Sequence, residues 1–380
     1  AITNFGGSFS TLSPGELGSH CLKPIVDDFE YLKELTDFVI VGNVLSAGHG
    51  QNIARQVAMY SGISESIPSF TINQVCGSGM QAIILGLNYI RAGNADIVIA
   101  GGVESMSTSA HCIKDFRWGK KMGHSHFVDT MISDGLWDVF NDIHMGITAE
   151  NVAQKYNVSR SEQDEFAFNS HKKALYAQEN GFFDSEIIPI EIIQKKAQTL
   201  ISKDEFIRSD ISLEKLKKLK PVFDKSGSVT AGNSSGLNDG VAFVVLMSEE
   251  KANELEAKMK VECIQDTTVG YDPKYMGVAP VPAIDSLLKK TTLSLDQVDL
   301  FEVNEAFSAQ SIAVKNELNI PDEKLNVGGG AIALGHPIGA SGARVVVSLV
   351  NHLIRRNQEI GVASLCVGGG QATSLMIKNN

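Results

Sequence analysis

Short apolar runs alternate along the chain with longer segments in which apolar residues recur at helical spacing. The runs are residues 38–41, 70–72, 97–100, 242–246, 300–303 and 362–367. The helical segments between them include residues 80–90, 308–318 and 343–354. Uninterrupted apolar runs are typical of strands buried on both faces, and strands that alternate with helices favour parallel pairing. The pattern therefore predicts an α/β protein with buried, largely parallel sheets.

Residues 109–235 differ from the rest of the chain because they are richer in charged and polar residues. Within them, Ser159 and Glu162 have the spacing of a capping box, which predicts a helix that runs to about Gln178. We interpret the whole stretch as an insertion that packs on the layers of the sheets.

Two glycine-rich segments, one near each end of the chain, resemble each other. Cys76-Gly-Ser-Gly precedes a predicted helix, a predicted strand and a pair of glycines. His336-Pro-Ile-Gly-Ala-Ser-Gly likewise precedes a helix, a strand and the glycines that start at Gly368. This repeated order indicates a tandem duplication of one α/β half.

Composition narrows the possible classes of protein. The 380 residues are 43% hydrophobic and 20% charged, which is ordinary for a soluble chain long enough for two domains. A net charge of −11 argues against nucleic acid or an anionic membrane as the main partner. No apolar run approaches the length of a membrane span, and the first residues do not resemble a signal peptide. The expected location is the cytoplasm.

Five cysteines in a chain of this length do not resemble a disulfide framework. They are Cys21, Cys76, Cys112, Cys263 and Cys366. No cysteine or histidine group has the spacing of a metal site, so we expect no bound metal. The glycine-rich segments also lack the spacing of a Rossmann or P-loop site, and we expect no permanently bound cofactor.

Two of the cysteines lie beside glycines at the ends of predicted strands. Cys76 lies where a strand leads into a helix, and the helix dipole there is expected to lower the thiol pKa and favour thiolate. A small buried cysteine at a tight junction explains the same pattern equally well. Cys366 precedes three glycines whose N–H groups could bind an anion, although a core cysteine is the better interpretation of this pattern alone.

His336 and Asn304 are the candidate polar partners of these cysteines. His336 lies in a segment dense in glycine, which indicates backbone folded tightly about a site. Pro337 suits the first position of a helix, where the dipole would keep the His336 imidazole neutral and available as a base. Asn304 follows an apolar run, where the polar residues of α/β sites gather. Asn304 could equally be the N-cap of a helix that starts at Glu305.

Five segments together resemble the thiolase family. They are Asn73-Gln-Val-Cys-Gly-Ser-Gly-Met-Gln-Ala82, Ala100-Gly-Gly-Val-Glu-Ser-Met106, Val303-Asn-Glu-Ala-Phe307, residues 328–342, and Leu365-Cys-Val-Gly-Gly-Gly370. The resemblance implies two similar βαβαβαββ halves stacked in five layers, α/β/α/β/α, with an inserted loop domain. It assigns residues 1–108 and 236–257 to the first half, 109–235 to the inserted domain and 258–380 to the second half.

The resemblance also implies a role for each candidate residue. Cys76 matches the nucleophile that takes the acyl group as a thioester. His336 matches the residue that accepts the Cys76 proton and returns it to the leaving coenzyme A thiol. Cys366 matches the acid/base that removes a proton from the second acyl-CoA. Asn304 matches the residue holding a water that forms one oxyanion hole with His336, and the N–H groups of Cys76 and Gly368 match a second hole.

Parts of the inserted stretch resemble the coenzyme A-binding region of the family. By that match, Arg208 lies near the adenine nucleotide, and Ala231 and Ser235 lie near the pantetheine arm. The nearby lysines are interpreted mostly as a solvated helix face. These are Lys215, Lys217, Lys218 and Lys220.

The subclass is indicated by further matches. His144 and Met145 resemble residues that line a small acyl pocket in the short-chain subclass. Phe307, in the matched asparagine segment, is also expected to bind the substrate or coenzyme A. Residues 115–141 resemble the loop through which that subclass forms tetramers. The resemblance implies a homotetrameric acetyl-CoA C-acetyltransferase, which joins two acetyl-CoA into acetoacetyl-CoA and CoA or performs the reverse. The alternatives are a degradative 3-ketoacyl-CoA thiolase of broader chain length and a non-catalytic acyl-CoA carrier.

Two features depart from the family pattern. The chain starts beyond the point that matches the family's first strand, so we expect that strand, central in the first sheet, to be missing. Gln371 follows the last glycine run, where short-chain members often carry a small or apolar residue.

Overall fold

A computed structural model describes residues 1–194 and 197–379. The strands are β1 (Ile2–Asn4), β2 (Phe38–Gly42), β3 (Ser69–Ile72), β4 (Ile97–Ser105), β5 (His111–Cys112), β6 (Val128–Asp129), β7 (Trp137–Asp138), β8 (Ile143–His144), β9 (Ile190–Gln194), β10 (Ala197–Ile201), β11 (Asn238–Met247), β12 (Glu262–Gly270), β13 (Leu300–Val303), β14 (Ile360–Val367) and β15 (Gln371–Lys378). The α-helices are α1 (Pro14–Asp28), α2 (Leu32–Leu35), α3 (Ile53–Tyr60), α4 (Ser78–Arg91), α5 (Met145–Lys155), α6 (Arg160–Glu179), α7 (Leu213–Lys217), α8 (Glu249–Glu254), α9 (Pro280–Thr291), α10 (Ser308–Leu318), α11 (Ala331–Leu334) and α12 (Ile338–Arg356).

The first sheet has the strand order β1-β11-β4-β2-β3. β2 pairs in parallel with β3 and β4, whereas β11 is antiparallel to both β1 and β4. Four of the five strands therefore run in one direction, as the predicted largely parallel sheet requires. Every residue of β4 is buried, which explains the uninterrupted apolar run at its start.

The expectation of a missing, central first strand is wrong. β1 is present and lies at the edge of the first sheet, where its three residues pair with Asn238, Asp239 and Gly240 of β11. An edge strand makes hydrogen bonds on one side only, so a strand of three residues is sufficient there.

The second sheet repeats the plan of the first. Its order is β12-β15-β14-β13, with β15 antiparallel to both neighbours and β14 parallel to β13. A parallel bridge between Phe301 and Leu325 continues the sheet at the position that β3 has in the first. The duplication indicated by the two glycine-rich segments is thus visible in strand order and direction.

Helices α4 and α12 lie between the two sheets and pack against each other. They approach closely because glycines lie at the crossing: a Cβ on Gly79 would lie 2.7 Å from the backbone nitrogen of Ala343. α1 and α3 cover the outer face of the first sheet, and α9 and α10 cover that of the second. The result is the predicted five-layer α/β/α/β/α architecture.

The polar stretch lies between two strands that are neighbours in the first sheet. β4 and β11 are joined through residues 106–237, whereas the equivalent β14 and β15 are joined by residues 368–370 alone. The capping box is confirmed, because Ser159 Oγ accepts the N–H of Glu162 and Glu162 Oε2 accepts that of Ser159. The domain boundaries stay a prediction. No helix within the described residues is long and apolar enough to cross a membrane.

Candidate active site

Cys76 lies in a tight turn between β3 and α4, two residues before the first residue of the helix. Ser78 Oγ accepts the N–H of Gln74 at 2.9 Å and donates to the carbonyl of Val75 at 2.6 Å. Val75 has a φ of +46°, in the left-handed region that β-branched residues rarely adopt. Such strain persists where the surroundings enforce it, and it often marks a functional turn.

The Cys76 thiol is buried, and only 8% of the residue is exposed. Burial raises the pKa of the Cys76 thiol to about 11, and the facing backbone N–H of Gly368 offsets only part of that effect. The expectation of a thiolate favoured by the helix dipole is therefore wrong. Removal of water from the sulfur is the largest cause of the raised pKa, and the resting group is a thiol that needs a base.

His336 has the equivalent position before α12, two residues ahead of its first residue. Its backbone N–H donates to Asn238 Oδ1 at 2.9 Å. Its Nδ1 lies 2.6 Å from Ser341 Oγ, while the Ser341 hydroxyl donates to the Pro337 carbonyl at 3.0 Å. Since the single hydroxyl proton is used there, Ser341 Oγ accepts from Nδ1–H. This assigns the proton to Nδ1 and leaves the lone pair on Nε2.

The free nitrogen of His336 is the atom available for chemistry. Nε2 is buried and has no hydrogen-bond partner in the part of the chain that the structure describes. Burial lowers the pKa of His336 to about 4, so the imidazole is neutral, as predicted. A neutral imidazole with an open Nε2 can accept a proton and then donate it.

Cys366 and Gly368 meet Cys76 from the second half of the molecule. Cys366 lies near the end of β14 and is 1% exposed. Burial, and after it the nearby Cys76, raises the pKa of the Cys366 thiol, which is therefore protonated at rest. The backbone N–H of Gly368 faces the Cys76 sulfur. The structure thus brings together two cysteines that are 290 residues apart in the sequence.

Asn304 directly follows β13, and its backbone N–H donates to the carbonyl of Ser364 at 2.9 Å. The side-chain Nδ2 is buried without a hydrogen-bond partner among the described residues. The alternative of an N-cap is wrong, because α10 starts at Ser308 and Phe307 occupies the cap position. A buried amide N–H left unpaired by the protein is a donor for water or substrate.

Glu305 is buried and holds the loop that follows Asn304. Its carboxylate accepts hydrogen bonds from Ser170 at 2.6 Å, from Asn326 at 2.8 Å and from the N–H of Ile332 at 3.3 Å. These partners lie on three separate segments. The loop is therefore fixed from several sides, which orients the neighbouring Asn304.

An apolar group surrounds Cys366 and includes Met145, one of the two predicted acyl-pocket residues. Met145, Met276 and Ala306 are buried with Cys366, and Phe307 packs against them. His144 is next to this group. Its ring stacks on Phe223 at 4.6 Å between centroids, and Phe223 meets Phe307 edge-on at 6.4 Å.

His144 also has a structural role at the start of α5. Its Nδ1 accepts the N–H of Gly146 at 3.0 Å, as an N-cap does. Burial lowers the pKa of the His144 imidazole, so the ring is neutral against Phe223. It is therefore suited to line an apolar pocket.

The predicted coenzyme A stretch is attached directly to the loop after Asn304. Ser235 donates to the carbonyl of Ala306 through both its N–H and its hydroxyl, each at 3.0 Å. Ser308 donates its N–H to the carbonyl of Asn233 at 2.9 Å. Ala231 is exposed at the start of the same stretch. The structure therefore places Ser235 beside the candidate catalytic loop.

Arg208 lies farther along the same surface. Its guanidinium lies 5.4 Å from the Phe206 ring centre, and that ring packs against Gly236, next to Ser235. The four nearby lysines are exposed, and Lys215 is paired with Asp210. This agrees with their interpretation as a mainly solvated face.

The sequence patterns gave no role to four residues of the site. Met276 and Phe223 carry no local signal, because only the fold brings them to Cys366 and His144. Ser341 lies inside the glycine-dense segment but has no distinctive spacing. Glu104 has a signal that could have been used, since it is the one charged residue of the buried strand β4.

Glu104 joins the two halves beneath the site. Its carboxyl group accepts the N–H groups of Val44 and Leu45 at 3.1 Å and of Gly339 at 2.9 Å, and also the side chain of Asn43 at 2.9 Å. Burial raises the pKa of Glu104 to about 7. The contact with Gly339 fixes the first turn of α12, on which His336 depends.

Two family models together cover nearly the whole chain. The model described as "Thiolase, N-terminal domain" matches residues 1–250, and "Thiolase, C-terminal domain" matches residues 257–379. The chain belongs to the thiolase family. It is an acyltransferase, and its fold is the thiolase fold.

Similar proteins are known from bacteria. A protein of Staphylococcus aureus (strain COL) described as a "probable acetyl-CoA acyltransferase" is 51% identical over 374 residues, which are 98% of this chain and 95% of that protein. The corresponding protein of strain MRSA252 is 50% identical over the same shares.

Two solved thiolase structures have nearly the same fold as this chain. The crystal structure of the Bacillus anthracis acetyl-CoA acetyltransferase has a TM-score of 0.97 and 45% identity, covering 99% of this chain and 95% of that one. Human mitochondrial 3-ketoacyl-CoA thiolase has a TM-score of 0.96 and 39% identity, covering 100% and 96%.

Proposed function

We propose that the protein is an acetyl-CoA C-acetyltransferase, which converts two acetyl-CoA to acetoacetyl-CoA and CoA reversibly through an acetyl-Cys76 intermediate. The observation that carries the proposal is the set of side chains around Cys366. Met145, Met276 and Phe307 pack closely against it, which favours an acetyl group over a longer chain. The similarity to the Bacillus anthracis acetyl-CoA acetyltransferase supports the same substrate.

In the cleavage direction, Cys76 attacks the 3-keto carbon of acetoacetyl-CoA and passes its proton to His336 Nε2. The C2–C3 bond breaks, and its electron pair stays on C2. The Cys366 thiol gives its proton to C2, which releases acetyl-CoA. The raised thiol pKa of Cys366 suits this step because the group holds its proton until the carbanion forms.

Before the second step, the His336 imidazolium passes its proton to the Cys366 thiolate. CoA then enters and gives its thiol proton to His336 Nε2, and the CoA sulfur forms the new thioester bond as the bond to Cys76 breaks. His336 returns the proton to the Cys76 sulfur. Every group is then in its starting state. Condensation follows the same steps in reverse.

Charge that develops on oxygen needs fixed donors. The unpaired Nδ2 of Asn304 supports the proposed water of the first oxyanion hole, completed by Nε2–H of His336 once that nitrogen is protonated. The backbone N–H groups of Cys76 and Gly368 form the proposed second hole. Loss of one such donor typically costs about 10²–10³ in rate.

The test follows the loss of acetoacetyl-CoA when free CoA is added. The native chain, the Cys76→Ser variant and a Cys263→Ser control are compared, with a longer 3-ketoacyl-CoA alongside. We expect turnover of acetoacetyl-CoA, its loss in Cys76→Ser alone, and poor use of the longer substrate. Folded native protein that cleaves neither substrate would exclude a thiolase activity and favour the carrier alternative.

A degradative 3-ketoacyl-CoA thiolase of broader chain length is the second candidate. The similarity to human mitochondrial 3-ketoacyl-CoA thiolase favours it, and so does Gln371 at a position where short-chain members often carry a small or apolar residue. Faster cleavage of the longer 3-ketoacyl-CoA than of acetoacetyl-CoA would select this alternative.

The proposed substrates are acetyl-CoA, acetoacetyl-CoA and CoA, with no resident metal or cofactor. We also propose a homotetramer in the cytoplasm. Exposed apolar side chains in the predicted tetramer loop support an assembly through that loop. They are Phe116, Trp118, Met122 and Phe127. Light scattering of the native chain and of a Trp118→Ser variant tests the assembly.

A further inference from the structure

Two turns carry the proposed second oxyanion hole, and they come from different halves of the molecule. We name residues 73–78 the nucleophile turn and residues 367–371 the glycine turn. The N–H of Gly368 in the glycine turn faces the sulfur of Cys76 in the nucleophile turn. The spacing of the two donors therefore depends on how one turn is held against the other.

Each turn places a valine against a glycine of the other. A Cβ on Gly368 would lie 3.2 Å from Val75 Cγ1, and a Cβ on Gly77 would lie 2.8 Å from Val367 Cγ2. A side chain at either glycine would push the turns apart. Because the contacts are reciprocal, movement of one turn loosens both.

The nucleophile turn is held in the conformation that makes these contacts. Asn73 Oδ1 accepts the N–H of Val75 at 2.9 Å, and Ser78 Oγ donates to the Val75 carbonyl at 2.6 Å. Together they hold Val75 at its positive φ, which an unrestrained valine would leave. The strained valine is thereby aimed at Gly368.

A hydrogen bond between two side-chain amides closes the contact between the turns. Gln74 Nε2 donates to Gln371 Oε1 at 3.3 Å, in a partly buried setting. Gln371 is the residue at which this chain departs from short-chain family members. The departure is therefore paired with Gln74, which directly precedes the strained Val75 of the nucleophile turn.

We infer that the Gln74–Gln371 hydrogen bond and the two valine–glycine contacts form a clasp that sets the spacing of the Cys76 and Gly368 N–H donors. Gln74 and Gln371 are then positioning residues for acyl transfer. The inference rests on the proposed function, since it concerns the same oxyanion hole. Donors act fully only when they lie about 2.7–3.1 Å from the oxyanion, and a misplacement of about 1 Å can cost about 10²-fold in rate.

The test replaces Gln371 by Met, which keeps the length of the side chain and removes the acceptor. The control is Thr268→Val, which removes the 3.3 Å hydrogen bond between Thr268 and Gln81, another contact between the halves but outside both turns. Three quantities are measured: kcat and KM for acetoacetyl-CoA cleavage, exchange of labelled CoA into acetyl-CoA, and the melting temperature. Exchange reports formation of acyl-Cys76 without the carbon–carbon step.

We expect Gln371→Met to lower kcat and the exchange rate by about 10-fold each, with KM within about twofold of the wild type. Thr268→Val leaves all three quantities unchanged, and the two variants melt at similar temperatures. Gln74→Met should reproduce the loss. The double variant should be no slower than either single variant, because each single variant already breaks the same Gln74–Gln371 hydrogen bond.

Wild-type kcat and exchange in Gln371→Met, or losses that multiply in the double variant, overturn the clasp while the proposed function stands. A change in KM alone, with kcat and the exchange rate unchanged, overturns it as well. If Gln371→Met does not fold, Gln74→Met decides the same question. Absence of turnover and exchange in the wild type overturns the proposed function, and the clasp with it.

Discussion

The two halves of the molecule share one strand plan but contribute unequally to the site. In both, an aspartate accepts the N–H groups at the start of a central strand. Asp37 does so for β4 and Asp299 does so for β14, with N···O distances of 2.7–3.0 Å. We use these two aspartates as anchors, because they define which residues of the two halves are equivalent.

Counting from the anchors shows where the halves differ. Gly42 in the first half corresponds to Asn304 in the second, and Val103 in β4 corresponds to Cys366 in β14. Gly42 lies against Ser78 at the start of α4. The first half therefore uses these two positions for packing, whereas the second half uses them for polar and thiol groups.

One pair of equivalent positions carries a candidate catalytic residue in both halves. Cys76 and His336 each lie two residues before the first residue of a central helix, α4 or α12. Because these helices pack against each other between the sheets, with Gly79 of α4 next to Gly339 and Ala343 of α12, the two helix starts lie close together. The duplicated fold thus places the starts of two equivalent helices next to each other. The residue types at equivalent positions then differ between the halves, and these differences determine the candidate chemistry.

The largest expected effect separates Cys366 from its structural equivalent. Cys366→Ala removes the proposed acid/base and should lower kcat for acetoacetyl-CoA cleavage by about 10³-fold. Val103→Ala deletes buried carbon from the matching position and should cost about 2 kcal/mol of stability while keeping kcat within a few-fold. Steady-state kinetics and thermal melting check both. Equal losses of kcat in the two variants would show that Cys366 has no catalytic role that its equivalent, Val103, lacks.

The pKa values of the Cys76 and Cys366 thiols should also differ from that of an ordinary cysteine. With its pKa at about 11 rather than at the ordinary thiol value of 9.0, Cys76 has about 100-fold less thiolate at pH 7. Its alkylation by iodoacetamide should therefore keep rising up to about pH 11 and precede that of the more deeply buried Cys366. Mass spectrometry measures each rate, with the urea-unfolded chain as control. A plateau below pH 9 would contradict the raised pKa.

A smaller effect tests the histidine start of α12. Ser341→Ala removes the acceptor that holds the proton on Nδ1, so part of the imidazole should change tautomer and kcat should fall by about 10-fold. Ser348→Ala, also on α12 and buried, is the control and should keep wild-type kcat. Measurement of kcat for the two purified variants tests this. If Ser341→Ala keeps the wild-type kcat, another contact sets the tautomer of His336.

The smallest effect tests the equivalence itself. Asp37→Ala and Asp299→Ala each remove two hydrogen bonds to backbone N–H groups and should each cost about 1 kcal/mol of stability. Neither residue belongs to the site, so kcat should not change in either. Melting curves and kinetics provide the comparison. A loss of activity in one variant but not the other would mean that the anchors are not equivalent.

Much of the architecture follows from local patterns. Apolar runs predict the strands, and the Ser159–Glu162 capping box predicts the start of α6 within the inserted stretch. The repeated glycine-rich segments predict the duplication. The edge position of β1 could not be predicted, because strand order depends on pairing between residues more than 200 positions apart.

Local patterns also mark Cys76, Asn304, His336 and Cys366 as candidates, because each lies beside glycines or after a predicted strand, although the pattern around Cys366 alone favours a core cysteine. They do not predict the ionisation of Cys76, whose pKa depends on the loss of water when two halves close over it. They do not predict Met276 or Ser341 as neighbours either. Contacts, tautomers and proton affinities arise only when distant segments pack, since each is set by what surrounds a group and not by what adjoins it in the chain.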